Sequence, residues 1–336
     1  MKKPTLVDVG RESGVSAITV SRTLRNPERV SEALKKRVYA AIDKLSYVPD
    51  AAASTLASNR SSVIGVLVPS FSNQVFTDVL AGANSVIEGT KFSFQIANTE
   101  YSALTEEALI PKFLTLKPAG IIIAGVNQTA RSRRMLVEAD CPVVQVMDTT
   151  DDPIDVIVGF SNYQATSAAL EHMIEQGFRR IAFVGTRMDP RTQQRMVSYK
   201  DVMENHGIYD EKLLQTTSQK STVEIGRHLL GALLESAPDC DGVFCNNDDV
   251  AVGISLECQR RIIRIPKDIG ICGFNDLGTT SQMLPAISSI YTPRTECGAI
   301  AAQYILDRNA GKPQPENRCI DLGFDLKKRD STLRQN

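Results

Sequence analysis

From Ser62 onward the chain repeats one pattern: a short apolar run, then in most cases roughly 15 to 30 residues able to hold a helix, then another run. The runs are Val63–Val68, Phe92–Ala97, Gly120–Ile123, Val143–Met147, Ile181–Val184, Gly242–Cys245 and Ile269–Phe274. Their length and their content of Val, Ile and Phe read as buried strands. A strand followed by a helix and another strand closes most readily as a right-handed crossover, so the repeat predicts parallel sheets with helices on both faces. In such sheets ligands bind beyond the carboxyl ends of the strands.

The first sixty residues follow a different rule. Thr5-Leu-Val-Asp8 has the form of a capping box, in which the hydroxyl and the carboxylate each satisfy an otherwise unpaired backbone N–H, so a helix starts there. Gly14 suits a left-handed helix stop and Ser16 caps a second helix two residues later, which predicts helix, tight turn, helix. Asn26-Pro27 breaks the second helix. Ser31 is placed to cap a third, on which Leu34, Val38, Ile42 and Leu45 share one face. On the second helix Val20 and Leu24 point one way, whereas Ile18, Arg22 and Arg25 cluster opposite with Ser21 at the edge. Two arginines and a serine on a helix are commonly a solvated face. An exposed isoleucine among them is better explained by apolar contact with a thymine methyl in the major groove.

Charge is divided in the same way. Residues 1–60 carry 11 Lys/Arg against 6 Asp/Glu, a net of +5, while the rest carries 27 against 33, a net of -6. A basic head on an acidic body suits nucleic acid, because neutralised phosphates supply much of DNA affinity. At 336 residues and 42% hydrophobic content the chain can bury more than one core. It has no apolar stretch long enough to span a bilayer and no secretory h-region, so a cytoplasmic, membrane-free protein is expected. The seven cysteines include no C-x-x-C pair and read as buried reduced thiols, and the three histidines lack metal spacing. Neither a G-x-S-x-G elbow nor a phosphate-binding P-loop is present, so neither catalysis nor a cofactor is expected.

Leu6-Val-Asp-Val-Gly-Arg-Glu-Ser-Gly-Val-Ser-Ala-Ile-Thr-Val-Ser-Arg-Thr-Leu-Arg-Asn26 and Leu45-Ser-Tyr-Val-Pro49 resemble the N-terminal signature and hinge entry of the lactose and purine repressor (LacI) family. Ile64–Ser70, Gly177–Gly185, Asp241–Asp248 and Ile271–Asp276 extend the resemblance over nearly the whole chain. Within the family, Val68–Phe76, Pro142–Asp148 and Val158–Phe160 are similar to the gluconate and idonate repressors. The resemblance implies an all-α helix-turn-helix domain at 1–48, a hinge at 49–60 and an α/β periplasmic-binding-protein-like part at 61–336. Residues 62–160 with 290–322 would form one parallel-sheet subdomain, and 161–289 with the tail the other. Residues 49–60 also read as a plain linker. The alternative is a helix that forms on DNA and inserts Leu56 into the minor groove. This chain departs from the family at Asp50 and Ser54 in the hinge, at Ser161-Asn162 where Asp-Asn is usual, and at Asn275 where Asp is usual. Two pocket carboxylates are thereby absent.

The DNA-contacting set is then Thr5, Ser16, Ala17, Ile18, Thr19, Ser21, Arg22, Asn26 and Leu56, with Arg22 reading either a base edge or a phosphate. The effector set implied by the resemblance is Ser70, Asn73, Gln74, Asp148, Phe160, Arg191, Arg195, Asn247, Asn275 and Thr292. Arginine forks fit a carboxylate, and lost carboxylates reduce repulsion, so a sugar acid such as gluconate is the expected effector. A neutral sugar and a sugar phosphate are the rivals, and surface ion pairing is the plain alternative for Arg191 and Arg195. The partners expected are operator DNA, the effector and a second copy of the chain, since dimers read two half-sites. The short polar tail carries no heptad repeat for a tetramer. A transport-type sugar-binding protein shares the body pattern but would lack the basic head.

Overall fold

A computed structural model describes residues 3–25, 27–48 and 60–334, so Asn26, Leu56 and nearly all of the expected hinge lie outside the described residues. Contacts divide the chain into two units, Met1–Ser61 and Ser62–Asn336. In the first, α1 (Leu6–Ser13), α2 (Ala17–Arg25) and α3 (Glu32–Leu45) enclose a small core of Val9, Val20, Val38, Ala41 and Tyr47. The capping box forms at Thr5 and Asp8, with the Thr5 N–H donating to Asp8 Oδ2 at 3.0 Å. Gly14 stops α1 at φ 67°, and the Thr19 N–H donates to Ser16 Oγ at 3.1 Å to start α2. Gly10 lets the turn fold tightly, since a Cβ there would stand 2.8 Å from the Val15 carbonyl oxygen. Ser31 departs from expectation. It precedes α3 in extended conformation, but its hydroxyl makes no capping bond.

The second unit opens with β1 (Val63–Val68), α4 (Gln74–Ile87), β2 (Ser93–Asn98), α5 (Ala103–Leu114), β3 (Gly120–Ala124), α6 (Ala130–Val137), β4 (Val143–Val146) and β5 (Val156–Gly159). It continues through α7 (Asn162–Glu175), β6 (Ile181–Thr186), α8 (Pro190–Asn205), β7 (Leu214–Thr217), α9 (Val223–Ser236), β8 (Gly242–Cys245) and α10 (Asp248–Arg260). It ends with β9 (Gly270–Asn275), α11 (Gly278–Gln282), β10 (Ser288–Tyr291), α12 (Arg294–Asn309), β11 (Cys319–Asp321) and β12 (Asp325–Lys327).

Two six-stranded sheets result, ordered β11-β5-β4-β3-β1-β2 and β12-β10-β9-β8-β6-β7. Only the β10–β12 pair is antiparallel among the described strands. This is the parallel, helix-covered architecture that the repeat requires. The chain leaves the first sheet after β5, returns to it after β10 and crosses again after β11. Each sheet reverses its winding direction at its first strand, β1 or β6, and the crevice at such a switch point is where α/β sheets receive ligands.

The structure also corrects several expectations. The second run is Ser93–Asn98 and the seventh Gly270–Asn275, each displaced by one residue, and Met147 leaves β4 with φ 70°. The strands β5, β7, β10, β11 and β12 lie outside the seven runs, because each has only three or four residues, and β7, β11 and β12 stand at sheet edges. Five cysteines are buried, whereas Cys141 and Cys319 are half-buried, and none of the seven forms a disulfide. No helix among the described residues is long and apolar enough to cross a membrane.

Candidate functional site

The turn between α1 and α2 puts a distinct set of side chains on the outer face of α2. Val20 is fully buried beneath, and Thr23 is buried with its hydroxyl donating to the Thr19 carbonyl at 2.9 Å. Ile18 is 74% exposed, Ser16 and Arg22 are exposed, and Ala17, Thr19 and Ser21 are partly so. Thr5 is exposed, with its hydroxyl donating to Asp8. A large apolar side chain beside an exposed arginine is a surface that gains by entering a groove lined with thymine methyls and base edges.

In the second unit a cleft opens where the carboxyl ends of the strands carry Asn73, Tyr101, Phe160, Arg187, Asn246, Asn247 and Asn275, together with Arg191 and Arg195 on α8. Asp189 caps α8 by accepting from the N–H groups of Arg191 and Thr192. The three arginines stand four residues apart, and each lies against a ring. Arg187 is 3.9 Å from the centroid of Tyr101, Arg191 is 5.3 Å from that of Phe76, and Arg195 is 3.6 Å from that of Phe274. Stacking of this kind fixes the plane of a guanidinium while leaving its N–H edge available.

Asn73 caps α4 and donates Nδ2–H to Tyr101 Oη at 2.9 Å. Asn247 caps α10 and donates to Ser221 Oγ at 2.8 Å. Asn246 donates to the Thr186 carbonyl and to Thr192 Oγ1, both at 3.0 Å. Asn275, at φ 107°, offers its carbonyl to Arg294 Nη1, and Arg294 also pairs with Asp78 at 2.9 Å. Phe160 packs its buried ring against Phe274.

Six residues of the expected effector set therefore line one cleft: Asn73, Phe160, Arg191, Arg195, Asn247 and Asn275. The other four are placed elsewhere. Ser70 Oγ accepts from the Ser72 and Asn73 N–H groups in the preceding turn. Gln74 lies in an adjoining depression beside Asp248 and Asp249. Asp148 is 1% exposed behind the cleft wall, accepting from the Thr149 N–H at 3.0 Å and from Gln194 Nε2 of α8 at 3.3 Å, and burial raises its pKa against the pull of Arg191. Thr292 is fully buried and accepts from Arg294 Nη1 at 3.0 Å.

Burial also dominates the electrostatics. Arg195 is 8% exposed, and burial lowers its pKa to about 10, so it remains charged at neutral pH. Asp248 is pushed up to about 7 by burial, against the opposing pull of hydrogen bonds from Ser289 Oγ and the Leu277 N–H. Glu106, in a second chamber that shares Tyr101, Asp189 and Arg191 with the cleft, is also pushed to about 7 by burial.

The model of bacterial regulatory proteins of the lacI family matches residues 5–50, and that of the periplasmic binding protein-like domain matches residues 170–332. The HTH-type transcriptional regulator GntR of Pseudomonas aeruginosa is 39% identical over 330 residues, spanning 98% of this chain and 96% of that protein. The chain belongs to the LacI family. It is a DNA-binding transcriptional regulator, not an enzyme. The HTH-type transcriptional regulator IdnR of Escherichia coli K12 is 35% identical across 96% of each chain. A LacI-family transcriptional regulator from Silicibacter pomeroyi, solved as a crystal structure, superposes with a TM-score of 0.91 at 36% identity, covering 98% of this chain and 100% of that one.

Sequence reasoning missed several residues of this LacI-family cleft: Phe76, Tyr101, Arg187, Asp189, Ser221 and Asn246. The four-residue spacing of Arg187, Arg191 and Arg195 was a usable signal. Arg187 precedes the helix, however, so helical periodicity alone does not align it with the other two. Tyr101 carries no local signal, because only folding brings the loop after β2 to the cleft.

Proposed function

We propose that the chain acts in the cytoplasm as a homodimer that binds operator DNA and is controlled by a sugar acid such as gluconate held in the cleft of its second unit. In this reading residues 1–48 read DNA, residues 49–60 join the units, and residues 61–336 bind effector and dimerise. The observation that carries the ligand class is the charge of the cleft wall. Arg187, Arg191 and Arg195 face it with Asp189 in the lining and Asp148 buried behind it, where burial raises the pKa of Asp148, while Asn73, Asn246, Asn247 and Asn275 supply amide donors and acceptors suited to hydroxyls. A net positive, partly desolvated wall favours a carboxylate, and buried rings such as Phe160 can cover a sugar's apolar face. The names of the relatives GntR and IdnR, together with the resemblance to gluconate and idonate repressors, support the same class.

Calorimetry with gluconate, gluconate 6-phosphate and glucose tests this directly. Gluconate is expected to bind and glucose to bind at least tenfold more weakly. Glucose binding as tight as either acid refutes the sugar-acid reading, and preference for the phosphate moves it to a sugar phosphate. Gel shifts of operator DNA with and without gluconate then give the direction of the response.

A further inference from the structure

The three arginines of the cleft are not equivalent. Arg195 directs Nε and Nη2 to Asn162 Oδ1, at 3.1 and 2.8 Å, and Nη1 to the Asn246 carbonyl, so its donors hold protein atoms together. Arg191 stands 3.7 Å from Asp189, which offsets part of its charge. Arg187 differs from both. Among the described residues its guanidinium makes no hydrogen bond and no ion pair, and its one described partner is the face of Tyr101.

We propose that Arg187 is the residue that reads the ligand's carboxylate, with Tyr101 as the platform that fixes its orientation. The inference rests on the sugar-acid reading and names the group within it that recognises charge. Arg187 follows β6 of the second sheet, and Tyr101 follows β2 of the first, so the pair spans the cleft. Both ends are held. Arg187 and Met188 adopt left-handed backbone at φ 65° and 52°, and the Arg187 N–H donates to the Gln219 carbonyl at 2.9 Å. Tyr101 is left-handed at φ 58°, and its hydroxyl accepts from Asn73 Nδ2. Non-glycine residues at positive φ persist where the surrounding fold over-determines them, and they cluster at ligand clamps. A guanidinium resting on a ring leaves its N–H edge free to grip both oxygens of a carboxylate. The cleft amides can satisfy the hydroxyls of a charged and an uncharged polyol alike, so discrimination falls to Arg187, the cleft arginine with neither a hydrogen-bond acceptor nor a carboxylate partner among the described residues.

The test compares gluconate with glucitol, which keeps the carbon chain and replaces the carboxylate by a hydroxymethyl group. Calorimetry on the full chain should show that wild type prefers gluconate. Arg187→Gln should weaken gluconate about tenfold to a hundredfold, as expected for losing charge-assisted hydrogen bonds, while leaving glucitol unchanged. Arg187→Lys keeps the charge but not the fork and should fall between the two. It also serves as the second variant should the glutamine protein fail to fold. Tyr101→Leu should reduce the gluconate preference by removing the platform. An unaltered gluconate preference in both Arg187 variants overturns the assignment to Arg187 and leaves the sugar-acid reading standing. Glucitol bound as tightly as gluconate by wild type overturns both.

Discussion

Arg195→Met separates an arginine that supports the cleft from one that reads a ligand. The substitution strands two buried acceptors, Asn162 Oδ1 and the Asn246 carbonyl, each worth roughly 1–3 kcal/mol when left unsatisfied. It also removes the guanidinium 3.6 Å from the centroid of Phe274, worth roughly 1–2 kcal/mol when desolvated. Opposing these losses is the cost of burying the charge. The fall in pKa to about 10 corresponds to about 3 kcal/mol that methionine does not incur. Taking central values, the stranded acceptors and lost stack exceed the relief by about 2 kcal/mol, with methionine filling much of the vacated volume. Urea denaturation should therefore show a loss of about 2 kcal/mol, and thermal unfolding a drop of about 4 °C for a unit of this size. Arg187→Gln, which disturbs no protein hydrogen bond and loses only the partly exposed stack on Tyr101, should change stability by no more than about 1 kcal/mol. Equal stability of Arg195→Met and wild type would refute this accounting, and if gluconate affinity were lost at the same time, Arg195 would be a direct ligand contact.

Three further outcomes follow from particular residues. Arg22→Ala should weaken operator binding by roughly 1–3 kcal/mol and relax one position of the site if Arg22 contacts a base, whereas an equal loss on every sequence in a gel-shift series leaves only a phosphate contact. Glu106, held near 7 in the fold against an ordinary value of 4.5, keeps its proton in the native state where the unfolded chain has lost it, so stability falls as pH rises from about 4.5 to 7. In Glu106→Gln that decline should be shallower in melts across this range, by up to about 3 kcal/mol in total, with the remainder from Asp248, and an unchanged slope would contradict the buried-acid assignment. Gly298→Ala would place a Cβ 1.9 Å from the Val79 carbonyl oxygen where α4 and α12 cross, and should lower stability by at least about 1–3 kcal/mol, so an unshifted melting temperature would show that the helices can separate freely.

Much of this protein is determined by local chemistry that a sequence displays. Thr5 and Asp8 cap α1, Gly14 stops it and Ser16 starts α2, all through groups within a few residues of one another. The alternation of apolar runs and helical segments likewise implies parallel sheets, because successive strands and helices can bury their apolar faces in few other ways. The motif residues Asn73, Phe160, Arg191, Arg195, Asn247 and Asn275 come from separate segments, but each is tied to the end of a strand or to a helix that the pattern already locates.

Which arginine is bonded and which is free was decided only by tertiary structure. Arg195 meets Asn162 and Asn246, 33 and 51 residues away, and Arg187 meets Tyr101 across the two sheets. The buried Asp148 and Thr292 show the same limit from the other side, since a polar side chain at a motif position turns inward when the folded chain offers it partners. Periodicity reports which face of an element is apolar. It carries no information about which long-range acceptor a flexible, charged side chain will find, because that depends on the positions of atoms brought together only after the strands have paired.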